Sequence, residues 1–138
     1  MKKFQGRVIT PGEVTAEAVV TTEGFNTLAS FQMALQFGDK EVKCGDQSNK
    51  QLYGKPLINK ALCLPQTIGS TTGGLVLYCA CAMEKNPACM LFAGHIDSLA
   101  AKEPLGLFRG APFFIKKIGD FPIGVEKQKG VCYNVLID

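Results

Sequence analysis

The sequence predicts an α/β fold with a β-rich frame and a buried βαβ unit. Three observations carry the prediction. Short runs rich in Val, Ile and Thr are bounded by Gly and Pro, the pattern of strands separated by turns. One run, Leu75 to Met83, is apolar at nearly every position, which suits a helix packed between layers. Two short apolar segments, Lys60–Leu64 and Ala88–Ala93, flank that run. Strand, helix and strand within about 30 residues form a parallel βαβ unit with a right-handed connection. The 138 residues form one domain, with 46% hydrophobic and 20% charged residues, so disordered, collagenous and low-complexity classes are excluded.

Phe4–Thr10 and Ala16–Thr22 read as two strands joined by Pro11-Gly12 in a hairpin. From Asn26 to Phe37 the apolar residues Leu28, Phe31, Met33, Leu35 and Phe37 alternate over the second half, while the first half fits neither the strand nor the helix period. Gly38–Gly54 is polar and rich in turn residues, and reads as a surface excursion. Lys60–Leu64 is a short buried strand and Pro65–Gly74 a loop. The apolar helix follows, ended by Asn86-Pro87. Ala88–Ala93 is the next buried strand, Asp97–Lys102 a short helix stopped by Pro104, Pro112–Lys117 another strand, and Val125–Ile137 a terminal hairpin or pair of strands turning near Lys129-Gly130.

Fifteen Lys and Arg against twelve Asp and Glu give a net charge of +3. The positive residues are scattered, without the basic stripe of a nucleic-acid binder. The longest apolar stretch, Gly73–Met83, is shorter than the ~20 residues of a membrane span. Met1-Lys2-Lys3 runs into Phe4-Gln5-Gly6-Arg7 without the apolar core of a signal peptide, which predicts a cytoplasmic protein. Cys44, Cys63, Cys79, Cys81, Cys89 and Cys132 sit mostly in apolar surroundings without a CxxC pair, so they are expected to be reduced core thiols and not metal ligands.

The segment with chemical potential is Gly69-Ser70-Thr71-Thr72-Gly73-Gly74. It has glycines at both ends, three consecutive hydroxyls, and a place at a helix N-terminus outside the carboxyl end of a strand, where ligands of open α/β sheets bind. Unpaired N–H groups and the helix dipole favour an anion there. The same residues also suit a helix cap and a tight turn. The loop is neither GxxxxGK[ST] nor GxGxxG. His95, after the second βαβ strand, could face the same place; Asp97 and Ser98 suit a helix start.

Gly12-Glu13-Val14-Thr15-Ala16-Glu17-Ala18-Val19-Val20, Leu52-Tyr53-Gly54-Lys55, Pro65 through Gly74 with its apolar helix, and Asn86-Pro87-Ala88-Cys89-Met90-Leu91-Phe92 resemble the small subunit, or swivel domain, of the aconitase X family. The resemblance spans about residues 6–116. It implies a single swivelling β/β/α domain over 1–138, paired as a heterodimer with a separate large subunit. An iron-sulfur cluster or iron is expected on that large subunit and no cofactor in this chain. Together the two would dehydrate a small hydroxy acid, of the cis-3-hydroxy-L-proline or the phosphomevalonate type.

By position, Ser70 matches the family's loop serine and is similar to the aconitase swivel-domain serine that takes the substrate proton. Gly69, Thr71 and Thr72 would bind the substrate acid through N–H and hydroxyl groups. Donors at a helix terminus suit a developing aci-carboxylate, and the metal would take the hydroxide as a Lewis acid. Ile68 stands where the family usually has Arg, Gly74 where it often has Ser, and 25–46 lacks the family's Phe-x-Gly-Gly-Val-Asp run. The missing Arg removes a bidentate partner for a carboxylate or phosphate. A stand-alone anion-binding module of the same fold, without a catalytic partner, is the alternative.

Overall fold

The computed structural model describes residues 6–8, 14–94, 113–117 and 132–135. In chain order these form β1 (Gly6–Val8), β2 (Val14–Val20), β3 (Phe25–Asn26), α1 (Thr27–Gln36), β4 (Ala61–Leu64), β5 (Thr67–Ile68), α2 (Gly73–Ala82), β6 (Cys89–Phe92), β7 (Phe113–Lys117) and β8 (Cys132–Val135). Six strands make one sheet in the order β1-β7-β6-β4-β2-β8, and β3 with β5 makes a second, two-stranded sheet.

The centre of the large sheet is parallel. Ala18 lies opposite Ala61, Ala61 opposite Cys89, and Cys89 opposite Phe113. Parallel neighbours need a crossover, and α1 and α2 supply two of them, β2–α1–β4 and β4–α2–β6. The β4–α2–β6 unit is the one expected from the sequence. Antiparallel β1 and β8 pair with β7 and β2 at the two ends. The expected hairpin of the first two strands does not form, because β1 pairs with β7 at the far end of the sheet from β2. Two short β-prone runs across Pro-Gly carry no information about which neighbour each will take.

Side chains alternate across the sheet, as the period of two requires. Val19, Leu62, Leu64, Met90 and Phe92 face the helices and join Phe25, Phe31, Ala34, Leu77 and Ala80 in the main core. Ala16, Ala61 and Cys89 form a second cluster with Val14, Ala88 and Leu91. Phe25 and Phe31 meet edge to face with centroids 6.1 Å apart, a geometry worth about 0.5–1.5 kcal/mol beyond burial.

The segment that fitted neither period is the helix α1. Its buried positions are Thr27, Ser30, Phe31 and Ala34, spaced i, i+3, i+4, i+7. The helical face is present, but two of its four members are hydroxyl residues, and this hides it from a hydrophobicity pattern. Asn26 caps the helix by accepting from Ala29 N at 3.1 Å. Gly38, at φ 72, closes it, with Asp39 N donating to Ala34 O in the Schellman pattern.

Segment 38–54 is irregular as expected, yet it is no mere surface excursion. Val42, Cys44 and Leu52 are fully buried in the main core. A second correction concerns α2. Leu77 and Ala80 are buried with Gly73 and Gly74, but Leu75 and Met83 stand about half exposed and Cys79 is exposed. The helix covers one face of the sheet and is not enclosed between layers. It also stops before Asn86-Pro87. Met83 is the C-cap, Glu84 takes φ 55, and Lys85 N donates to Ala80 O at 2.8 Å. The expected helix Asp97–Lys102, His95, and all of 125–137 outside β8 lie beyond the described residues.

Candidate functional site

The site is built by the small sheet. After the carboxyl ends of β2 and β4 the chain turns and forms β3 and β5, paired in parallel with Phe25 opposite Thr67 and Asn26 opposite Ile68. Each strand then leads into a helix, α1 directly and α2 through Gly69–Thr72. Two helix N-termini therefore start side by side beyond the carboxyl ends of the parallel strands. Thr27 in the first turn of α1 is buried against α2, where a Cβ on Gly73 would lie 3.4 Å from Thr27 Cβ.

Within the loop, Gly69 has φ +96, and a Cβ there would lie 2.7 Å from Asn26 Nδ2. Conformation and space both demand glycine. Ser70 Oγ lies 2.7 Å from Thr72 Oγ1, and it accepts from Thr72 N at 3.2 Å. Gly73 N donates to Ser70 O at 3.0 Å. Gly69, Ser70, Thr71 and Thr72 are exposed while Gly73 and Gly74 are buried. Thr72 is the N-cap residue of α2 but makes no side-chain cap hydrogen bond. Its hydroxyl is turned to Ser70, so the capping role open to these residues in the sequence is not the one they take.

Ile68 does not reach over the loop. It leans on the β2–β3 turn, where a Cβ on Gly24 would meet Ile68 Cγ2 at 2.8 Å. That turn is held by Thr21 and Asn49, with Asn49 Nδ2 donating to Thr21 Oγ1 at 3.0 Å. Thr22 and Gln51 join it in a reciprocal pair: Thr22 N donates to Gln51 Oε1 at 2.6 Å and Gln51 Nε2 to Thr22 Oγ1 at 2.8 Å. Glu23 in the same turn has a buried Oε2 with no hydrogen-bond partner among the described residues.

Sequence reasoning missed Asn26 and Glu23. A short polar residue before an uncertain helix is a visible signal for the first; the second has none, because its burial depends on tertiary contacts. Burial holds four of the thiols in the protonated, unreactive form. Burial pushes Cys63 and Cys89 up to about 12 and Cys81 to about 11, and burial also raises Cys44. Among the described residues no group of three or more His, Cys, Asp or Glu is placed to hold a metal ion, and no helix is long and apolar enough to cross a membrane.

A parallel α/β sheet that brings two helix N-termini and a hydroxyl loop to its carboxyl edge defines the class of domain. The model of the aconitase X swivel domain matches residues 3–102, and the chain belongs to that family. The crystal structure of Thermococcus kodakaraensis aconitase X, in its holo-form, superposes with a TM-score of 0.69 at 21% identity, covering 91% of this chain and 84% of that one. The solution NMR structure of a UPF0107 protein superposes with a TM-score of 0.66, also at 21% identity, covering 91% and 85%. No curated protein matches the chain. At these identities the two structures establish the shared fold.

Proposed function

We propose that this chain is the small subunit of a heteromeric hydro-lyase, that residues 1–138 form its one swivel domain, and that Ser70 removes a proton from a hydroxy-acid substrate of the cis-3-hydroxy-L-proline or phosphomevalonate type. The observation that carries the proposal is the exposed Ser70 hydroxyl, paired at 2.7 Å with Thr72 Oγ1 beside the start of α2. Family membership supports the reaction class.

The chain's own groups divide the task. Gly69 and Thr71 present N–H groups, and Thr71 and Thr72 hydroxyls, to the substrate acid, where negative charge grows as the neighbouring carbon loses its proton; the Thr72 N–H is already given to Ser70 Oγ. Ser70 Oγ receives that proton only if its own has been drawn away first. Thr72 is a neutral hydroxyl and orients Ser70 without activating it. The acceptor of the Ser70 proton is therefore a group other than Thr72, and the large subunit and the substrate are candidates for it. An iron-sulfur cluster or iron is expected on the large subunit, where it would supply Lewis-acid help to the departing hydroxide.

The test is co-purification with an aconitase X large subunit, followed by assay with cis-3-hydroxy-L-proline and with phosphomevalonate. One of the two should be dehydrated by the complex and neither by this chain alone. Turnover by the isolated chain would overturn the two-subunit assignment, and unchanged turnover by a Ser70→Ala complex would overturn the role of Ser70.

A further inference from the structure

We infer that Asn26 is a positioning residue for Ser70: with Thr27 it clamps the two ends of the loop and fixes where the serine hydroxyl points. The inference rests on the assignment of Ser70 above. β3 pairs with β5 so that Asn26 is opposite Ile68, one residue before Gly69. The side chain of Asn26 then fills the space that a Cβ on Gly69 would need, with Nδ2, Cγ and Oδ1 at 2.7, 2.8 and 2.9 Å from that position. Its orientation is fixed from the other side. Oδ1 accepts from Ala29 N at 3.1 Å, so the amide cannot turn without uncapping α1.

The other end of the loop is held by the next residue. Thr27, 2% exposed, packs on Gly73 with Cβ and Oγ1 at 3.4 and 3.6 Å from a Cβ placed there. Four residues, Gly69 to Thr72, thus span two fixed points on the first turn of α1. The only freedom left is internal, and the Ser70–Thr72 hydroxyl pair and the Thr72 N–H bond take it up.

The experiment uses the full chain and its complex with the large subunit. Asn26→Asp and Asn26→Ser both keep a good N-cap acceptor, so thermal midpoints of the chain are expected to stay within about 3 °C of the parent. Asp places a carboxylate oxygen where Nδ2 lies, and Ser withdraws the amide from Gly69. Both are expected to lower kcat of the complex about ten- to a hundred-fold with KM changed less than three-fold, as misplacement of a reacting group does. In the isolated chain, Asn26→Ser should shift the backbone amide resonances of Ser70 and Thr71. Wild-type kcat and unmoved resonances would overturn the inference, as would a rise in KM at constant kcat, which marks a substrate contact. If one variant does not fold, the other is decisive. Ser70→Ala in parallel separates the failures: if it leaves turnover intact the assignment of Ser70 falls, and the resonances alone decide whether the clamp exists.

Discussion

Ser70 is a weak acid in an exposed loop, and its neighbours decide what it can do. Thr72 shares a hydrogen bond with it but carries no charge to draw off its proton. Replacing Ser70 with Ala should lower kcat of the complex about 10²–10⁴-fold, the usual contribution of a positioned proton-transfer group. Unfolding of the isolated chain should be almost unaffected, because an exposed hydroxyl contributes little to stability. Steady-state kinetics and urea titration of the same variant check both halves. The buried thiols give a second residue-level prediction. Cys63 and Cys89 hold their protons to about 12 in the folded chain against an ordinary value of 9.0. Above pH 9 the unfolded chain releases protons that the folded chain keeps, so stability is full below pH 9 and falls as pH rises toward 12. Each thiol contributes a slope approaching about 1.4 kcal/mol per pH unit in that window. Urea unfolding at pH 8 and pH 10 should show the loss, and Cys63→Ala should reduce the difference between the two pH values.

At the scale of elements, helix ends govern the site and the core. Gly38 ends α1 with φ 72 and open space around its Cα. Gly38→Ala therefore meets no clash and should cost about 1 kcal/mol, the penalty of the left-handed region alone; a thermal melt measures it. Phe31 is fully buried, and Phe31→Ala should cost about 3–5 kcal/mol. The strands β4 and β6 and the loop at Gly69–Gly74 were legible in the sequence because continuous apolar runs mark strands buried on both faces and because glycines bracket the hydroxyls; β7 was legible as a β-prone run after a proline. The helix α1 was not, since Thr27 and Ser30 occupy half of its buried face. Nor was the core role of Val42, Cys44 and Leu52, which are isolated apolar residues in a polar, turn-rich stretch. The partner of β1 is likewise hidden: pairing across a whole sheet is set by topology, and no local signal in Gly6–Val8 encodes it.

For the whole molecule, the parallel sheet and its crossovers through α1 and α2 bring the described candidate site to one edge. β3 and β5 carry α1 and α2 to that edge together, so the cap of one helix becomes the wall of the other helix's loop. On the proposed function, what is gathered there would bind and orient an acid and present a hydroxyl. It includes no described cationic side chain in α1, α2 or the loop, and Ile68 leans away on Gly24. Membership in the aconitase X swivel-domain family supports the proposal that the domain completes a site shared with another chain. The expected consequence is strict dependence on that second chain. The most direct measurement is turnover of cis-3-hydroxy-L-proline and of phosphomevalonate by this chain alone, by the large subunit alone, and by the two combined. Dehydration of one substrate only in the mixture, lost on Ser70→Ala, is the predicted result; turnover by either chain alone, or by a Ser70→Ala mixture at the parent rate, would contradict it.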